Sequence, residues 1–228
     1  MSSARSRQRL LRDTDAAEPL VLIVPGLKDS GTAHWQTLWH ARNPQFERVV
    51  QRNWSDPDLE AWADAISERV RLSGRNAILV AHSFGCLASV RAARSLGARV
   101  RAALLVAPAD PRLFGLSQRM PRAHLGLPST VVASRNDPWM PLPAARQWAR
   151  RWGSQFIDLG EAGHINVDSG FGEWPFGARL LRALIKRGAL PNVDAPSPVI
   201  SAGQRSPAAS SPGSSAAPDN SPPFTIAI

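Results

Sequence analysis

Cysteine and long apolar stretches are nearly absent from this sequence. Cys86 is the only cysteine, so the chain can form no internal disulfide and fits a reducing compartment. No run of about 18 apolar residues occurs, so we expect no membrane span. The N-terminal stretch MSSARSRQRLLRDTDAAEP is basic but lacks the apolar centre of a secretory signal. These absences predict a cytoplasmic protein without a membrane partner.

Motifs for metals, nucleotides and nucleic acids are also missing. No group of His, Cys and carboxylate residues has metal-ligand spacing, and there is no glycine-rich dinucleotide or phosphate loop, so no cofactor is implied. The net charge of +9 raises the question of nucleic-acid binding. However, the arginines are scattered, and no zinc-finger spacing, RNA-recognition consensus or basic stripe interleaved with aromatic residues is present. We therefore expect no nucleic-acid partner.

Composition divides the chain into three parts. Residues 191–228 are mostly Pro, Ser and Ala, and such a segment buries too little apolar surface to offset the entropy of ordering it. We predict that residues 191–228 form a disordered tail and that residues 1–17 form a disordered basic one. Residues 18–190 then make up a single domain, long enough to bury a sizeable core.

Short apolar runs alternate with amphipathic segments inside residues 18–190. The predicted strands are 19–24, 48–51, 77–82, 102–107, 129–134 and 155–159, and the predicted helices are 33–42, 58–72, 84–96, 143–152 and 172–187. The apolar runs show no polar alternation, which is typical of strands covered on both faces. This order predicts an α/β fold, with a mostly parallel sheet and helices on both faces.

Three reactive side chains each follow one of these predicted strands. Ser83 directly follows strand 77–82, Asp137 comes shortly after the fifth strand, and His164 after the sixth. The carboxyl ends of parallel strands share one edge of the sheet, where ligands bind. The order Ser, Asp, His is that of α/β-hydrolases. An imidazole can take the serine proton near neutral pH, and a carboxylate fixes its tautomer, so we predict a catalytic triad.

Each of these residues also has a purely structural explanation. Ser83 could cap a helix, because Ala81 replaces the first glycine of the nucleophile elbow Gly-x-Ser-x-Gly. Asp137 could be a turn residue, and His164 an ordinary loop residue. Asp110, which follows the fourth predicted strand, competes for the place of the acid. The agreement in chain order favours the triad, and SRNDPWMP, a strand-end turn before a helix, favours Asp137.

A serine nucleophile also needs backbone N–H groups to bind the oxyanion that forms during the reaction. The candidates are Phe84, next after the serine, and Leu27 in the loop PGLKDSGTAHW. Gly26 in that loop is equally explained as a turn residue, so the assignment of Leu27 depends on the whole architecture. Cys86 lies within a predicted helix, and we expect it to be buried and inert.

Three segments together resemble the small serine hydrolases grouped with retinoblastoma-binding protein nine, which include the bacterial YdeN-like proteins. They are VLIVPGLKDSGTAHWQTLW, NWSDPDLEAW and VAHSFGCLAS. The resemblance covers roughly residues 20–185, and the Pro-Gly loop that runs into HWQ is more specific to this group than the elbow. It implies a compact α/β-hydrolase without a lid domain, acting on a small-molecule acyl substrate through the same three triad residues.

The resemblance also bears on the substrate pocket. It implies that His34 and Trp35 bind substrate at the pocket mouth, although His34 could instead lie in the first turn of a helix capped by Thr32. The stretch 107–128 is too short for a lid domain, which favours small or accessible esters and amides. Phe114, Leu116 and Met120 could line an acyl pocket or pack against the sheet.

A second function remains open on the same fold. The chain could be a non-catalytic protein-interaction module, with residues 191–228 as the segment that binds a protein partner.

Overall fold

The apolar runs form one parallel six-stranded sheet in the computed structural model, which describes residues 18–188. The strands are β1 (Leu20–Val24), β2 (Glu47–Arg48), β3 (Ala77–His82), β4 (Val100–Val106), β5 (Ser129–Ala133) and β6 (Gln155–Asp158). They lie in the order β2-β1-β3-β4-β5-β6, and all neighbours are parallel. The two predicted tails, 1–17 and 191–228, lie outside the described residues, as does the predicted domain end at 190.

Within residues 18–188, five α-helices cover the two faces of this sheet. They are α1 (Trp35–Arg42), α2 (Leu59–Ser73), α3 (Phe84–Leu96), α4 (Leu142–Trp152) and α5 (Pro175–Gly188). The apolar residues of α2, α3 and α4 share one core cluster, and those of α1 and α5 share the other. The predicted α/β fold, with a parallel sheet between two helical layers, is confirmed.

The central strand β3 explains why the apolar runs show no polar alternation. All six of its residues are buried, and successive side chains point to opposite faces of the sheet. Leu79 and Ala81 therefore pack under α2 and α3, whereas Ile78 and Val80 pack under α1 and α5. A strand with a helical layer on each side needs apolar residues at every position.

Most predicted boundaries differ from the structure by at most two residues, but two are wrong by three residues, for local reasons. The second strand is Glu47–Arg48 rather than 48–51, because the chain leaves the sheet edge after the Val49 N–H bonds to Ile23 O. The last helix begins at Pro175 rather than 172. Proline suits the first helical position, since its fixed φ matches a helix and its missing N–H would have no partner there.

The strand order places a crevice at the carboxyl ends of β1 and β3. The chain runs from β1 outward to β2 and then returns to β3 on the other side of β1. Helix α1 leaves β1 towards one face, and α3 leaves β3 towards the opposite face. Such a switch point is where open α/β sheets bind ligands.

No lid domain covers this end of the sheet in the part of the chain that the structure describes. The connection from β4 to β5 contains only a short 3-10 turn, Pro111–Phe114. Within residues 18–188, no helix is long and apolar enough to cross a membrane.

Candidate active site

Ser83 occupies a sharp turn between β3 and α3. Its φ of 54° and ψ of −126° lie in a region that side-chain-bearing residues rarely adopt, so the backbone is strained there. Its side chain makes no capping hydrogen bond to α3. The structure therefore shows the strained turn of a nucleophile elbow rather than a helix N-cap.

The glycines around Ser83 make this turn sterically possible. A Cβ added to Gly85 would lie 2.2 Å from Pro25 O and 2.7 Å from Val24 O, so only glycine lets α3 start against the end of β1. A Cβ on Gly26 would lie 2.7 Å from the Ser83 Cβ. Ala81, at the position of the missing first glycine, is fully buried with its methyl group in the core.

A chain of hydrogen bonds links Ser83 to His164 and Asp137. Ser83 Oγ lies 2.9 Å from His164 Nε2. On the other side of the ring, His164 Nδ1 lies 2.9 Å and 3.0 Å from the two carboxylate oxygens of Asp137. A carboxylate can only accept, so Nδ1 carries the proton and Nε2 is free to accept one from the serine hydroxyl. The Asp137 side chain is almost completely buried, and the His164 side chain is slightly exposed.

The structure separates the two candidate acids. Asp110 Oδ1 accepts the Arg112 N–H at 2.9 Å, and its Oδ2 pairs with the Arg112 guanidinium. Asp110 thus caps the turn after β4, and Asp137 is the carboxylate that contacts His164. Asp137 Oδ1 also accepts the Trp139 N–H at 2.9 Å, which fixes the carboxylate in its turn.

The loop that carries His164 is fastened to the end of β5. Ser134 Oγ accepts the Ala162 N–H at 2.9 Å, and Asn136 Oδ1 accepts the Gly163 N–H at 2.7 Å. The His164 N–H donates to Ser169 Oγ at 3.0 Å. The β5 turn that presents the acid therefore also positions the loop of the base. None of these supporting residues could be predicted from the sequence, because loop side chains give no periodic signal.

His82, directly before Ser83, is a second residue that the sequence analysis missed. Its Nε2 lies 2.9 Å from the main-chain oxygen of His164 and must donate, since a carbonyl oxygen only accepts. Its ring packs between the rings of His34 and His164, with centroid distances of 4.9 Å and 4.8 Å. Burial, and then the charges of His164 and His34, hold the pKa of His82 well below its usual value. The sequence did contain a signal for this role, because His82 is a polar residue at the end of an apolar strand and directly precedes Ser83.

The two residues predicted to bind substrate, His34 and Trp35, are both buried. His34 Nδ1 accepts the Gln36 N–H at 3.2 Å, so His34 itself caps α1, and the alternative explanation with Thr32 as the cap is wrong. Burial, followed by the charge of Arg48, lowers the pKa of His34 to about 4. The imidazole is therefore neutral at pH 7, and its Nε2–H has no partner within residues 18–188.

Trp35 lies in the core and not at a pocket mouth. Its indole is fully buried, and its Nε1–H donates to Ile165 O at 3.0 Å. The next residue, Gln36, donates from Nε2 to Val24 O and Val80 O, both at 3.0 Å. The HWQ segment therefore connects β1, β3 and the His164 loop, which are the three parts of the chain that meet at the site.

Both oxyanion candidates belong to segments that adjoin Ser83. Phe84 is the first residue of α3, and the first N–H groups of a helix have no partner inside it. Leu27 follows Gly26, which packs against Ser83. The Lys28 N–H donates to Trp54 O at 2.8 Å and secures this loop. Their assignment to an oxyanion hole stays a prediction.

The other candidates from the sequence lie in the core. Cys86 is fully buried, and burial raises the pKa of its thiol well above the usual value. Leu116 and Met120 are buried in the main cluster, and the Phe114 ring packs edge-on against Phe84. Within residues 18–188, no three His, Cys, Asp or Glu side chains are grouped so as to hold a metal ion.

The chain is similar to known proteins over almost all of its described length. A family model described as serine hydrolase matches residues 21–183. YdeN of Bacillus subtilis strain 168 is 24% identical over 176 residues, which are 68% of this chain and 90% of YdeN.

Solved structures agree with this match. A YdeN-like protein from Pectobacterium atrosepticum is 36% identical, covering 80% of this chain and 98% of its own, with a TM-score of 0.73. The crystal structure of the ydeN product of Bacillus subtilis is 25% identical, covering 74% and 99%, with a TM-score of 0.62. With this fold and a serine, histidine and aspartate in hydrogen-bond contact, the chain belongs to the YdeN-like small serine hydrolase family and is a hydrolase.

Proposed function

We propose that this hydrolase cleaves small carboxylic esters or amides through an acyl-enzyme intermediate on Ser83. The observation that carries the proposal is the unbroken hydrogen-bond chain from Ser83 Oγ through the His164 ring to the Asp137 carboxylate. The strained turn supports it, because residues held in a rarely populated backbone conformation are often found at functional sites.

The first half of the reaction forms the acyl-enzyme. Ser83 Oγ attacks the substrate carbonyl carbon while its proton passes to His164 Nε2, and the carbonyl oxygen becomes an oxyanion. Asp137 stabilises the imidazolium through the Nδ1–H bond. The bond from carbon to the leaving oxygen or nitrogen then breaks, and the leaving atom takes the proton from His164 Nε2. An alcohol or amine departs, and the acyl group stays on Ser83.

The second half releases the acid by the same groups. Water attacks the acyl carbon and gives its proton to His164 Nε2. The bond from carbon to Ser83 Oγ breaks, and Oγ takes the proton back, which restores the enzyme. In both halves, the N–H groups of Leu27 and Phe84 bind the oxyanion. Loss of one such donor costs about 3–4 kcal/mol of transition-state stabilisation in other serine hydrolases.

Covalent labelling tests this proposal directly. A fluorophosphonate probe should add one phosphonyl group per chain, on the peptide that contains Ser83, as read by mass spectrometry. Ser83→Ala should abolish labelling. Ser89→Ala is the matched control, because Ser89 is a buried serine on α3 whose hydroxyl has no partner within the described residues.

Ester and amide substrates that share an acyl group extend the test to turnover. A pre-steady-state burst of alcohol, close to one per active site, would identify the acyl-enzyme. Folded wild-type protein that neither takes the label nor turns over any ester or amide would refute the proposal, as would labelling that persists in Ser83→Ala.

A further inference from the structure

Exposed apolar side chains are concentrated at the carboxyl edge of the sheet. Five large apolar side chains are exposed within residues 18–188, namely Val50, Leu72, Leu113, Trp139 and Val167. Leu113, Trp139 and Val167 follow β4, β5 and β6, so three consecutive strand-end loops each present one of them. Trp139 is the largest, and its side chain is half exposed.

Trp139 is anchored beside the proposed base through its main chain. Its N–H donates to Asp137 Oδ1 at 2.9 Å, and its carbonyl oxygen accepts the Asp110 N–H at 2.9 Å. Its ring centroid lies 6.3 Å from that of His164. These main-chain bonds do not need an indole. A half-exposed indole in contact range of the base is therefore unexplained by folding alone, and its surface is available to a ligand.

Two arginines in the strand-end loops around Trp139 are paired with carboxylates, which favours a neutral ligand. The guanidinium of Arg112 pairs with Asp110 after β4, and that of Arg135 pairs with Asp158 between β5 and β6. Both arginines already have a carboxylate partner. The surface around Trp139 is therefore apolar, and neither of these two arginines is left without a carboxylate partner.

The reaction geometry decides which part of a substrate meets Trp139. His164 gives its proton to the leaving atom, so the leaving group must sit on the His164 side of Ser83. In the proposed reaction the carbonyl oxygen is bound by different groups, the N–H groups of Leu27 and Phe84. We infer that the Trp139 side chain binds the apolar part of the alcohol or amine leaving group. This inference rests on the proposed function, and it makes esters and amides with apolar leaving groups the preferred substrates.

A series of acetate esters tests the role of Trp139. Ethyl, butyl and hexyl acetate share the acyl group and have leaving alcohols of similar acidity. In the wild type, kcat/KM should rise along the series. In Trp139→Ala the rise should be lost, with kcat/KM for hexyl acetate about tenfold lower and a smaller loss for ethyl acetate. Trp139→Phe should keep most of the preference, because it retains an aromatic surface.

Two further measurements separate this role from a structural one. Deacylation of the acetyl-enzyme occurs after the alcohol has left, so Trp139→Ala should slow acylation selectively. Leu72→Ala is the control, because Leu72 is exposed on the last turn of α2, just before β3 begins at the opposite edge of the sheet. It should leave the chain-length preference unchanged.

The outcomes of these experiments distinguish failure of this inference from failure of the proposed function on which it rests. Three results would overturn the role of Trp139 and leave the proposed function standing. They are an equal loss of kcat/KM for all three esters in Trp139→Ala, an equal slowing of acylation and deacylation, and a wild type without a chain-length preference. Absence of both labelling and turnover in the wild type would remove the two together. If Trp139→Ala does not fold, Trp139→Gln provides the same comparison with a polar side chain.

Discussion

His82 donates a hydrogen bond from Nε2 to the main-chain oxygen of His164 at 2.9 Å. The residue directly before the proposed nucleophile therefore holds the backbone of the proposed base. Because burial keeps the pKa of His82 far below neutrality, its ring stays uncharged and its single N–H remains committed to this bond. This bond helps to fix the distance between Ser83 and His164, because His82 is joined to Ser83 by the chain and to His164 by the hydrogen bond.

Replacing His82 should affect turnover more than substrate binding. We expect His82→Leu to lower kcat by about 100-fold, because a displacement of about 1 Å between reacting groups can cost that much. KM should change little. His82→Gln should restore part of the rate, since its amide can donate from nearly the same place. Steady-state kinetics on one ester would test this, and a parallel change in KM or a His82→Gln variant as slow as His82→Leu would contradict it.

The two buried aspartates should respond differently to amidation. Asp137→Asn should lower kcat by about 10⁴-fold, as in other triads, because the imidazole loses its fixed tautomer. Asp110→Asn is the matched control and should change kcat little. It weakens the pairing with Arg112 and, because that guanidinium is largely exposed, should lower the free energy of unfolding by only about 0.5 kcal/mol. Urea unfolding and ester kinetics on both variants test this assignment. A large loss of kcat in Asp110→Asn, with little change in Asp137→Asn, would contradict it.

The two positions of the elbow motif should not be equivalent. Gly85→Ala places a methyl group against Pro25 O and should push α3 away from β1, at a cost of about 1–3 kcal/mol of unfolding free energy. Ala81→Gly removes a methyl group from a central strand, and we expect a cost of about 1 kcal/mol with the nucleophile still reactive. Fluorophosphonate labelling of Ala81→Gly, alongside thermal unfolding of both variants, measures the difference.

Stability should fall as the pH drops below about 6.5. The pKa of His34 is about 4 in the folded protein and about 6.5 in the unfolded chain, so the unfolded chain binds more protons between these values. The stabilisation is therefore complete above pH 6.5 and is lost as the pH falls towards 4. The difference corresponds to about 3 kcal/mol of unfolding free energy over that window. The neighbouring charges are those of Arg48 and His164, which lower this pKa, and Asp29, which raises it.

A variant that keeps the helix cap isolates this effect. His34→Asn retains an acceptor at the N-cap of α1 but does not titrate. Urea unfolding at pH 7.5 and pH 5 should show a smaller loss of stability for His34→Asn than for the wild type. His82 should account for a remaining slope, since its pKa is also lowered. If the free energy of unfolding depends on pH as steeply in His34→Asn as in the wild type, the acid sensitivity comes from other groups.

The sequence predicted the sheet and the three reactive positions because both depend on local patterns. Buried parallel strands are continuous apolar runs, and the carboxyl ends of such strands meet at one edge, so the chain order placed Ser83, Asp137 and His164 together. The same patterns could not predict the end of β2, because the apolar run continues through Val50 although the chain leaves the sheet edge after Val49.

Residues defined by distant contacts were harder to interpret. The predicted place of Trp35 at a pocket mouth differs from its buried position, because its partner Ile165 lies far away in the sequence. His82 looked like the last residue of an apolar strand, and its bond to His164 O is equally non-local. Trp139 stood inside a motif that was interpreted for its aspartate alone. The direction in which a side chain points and the residues that it contacts depend on tertiary packing, which the periodicity of the sequence does not encode.

The Trp35–Ile165 hydrogen bond has a consequence for folding. It joins residues 130 positions apart, from the beginning of α1 to the loop after β6. The proposed base, His164, therefore cannot reach its final position until nearly the whole domain has been synthesised and packed, and contacts of such long range form late and slowly. An N-terminal fragment that has already formed β1, β3 and the strained serine would still be inert, so the appearance of activity reports the completion of folding.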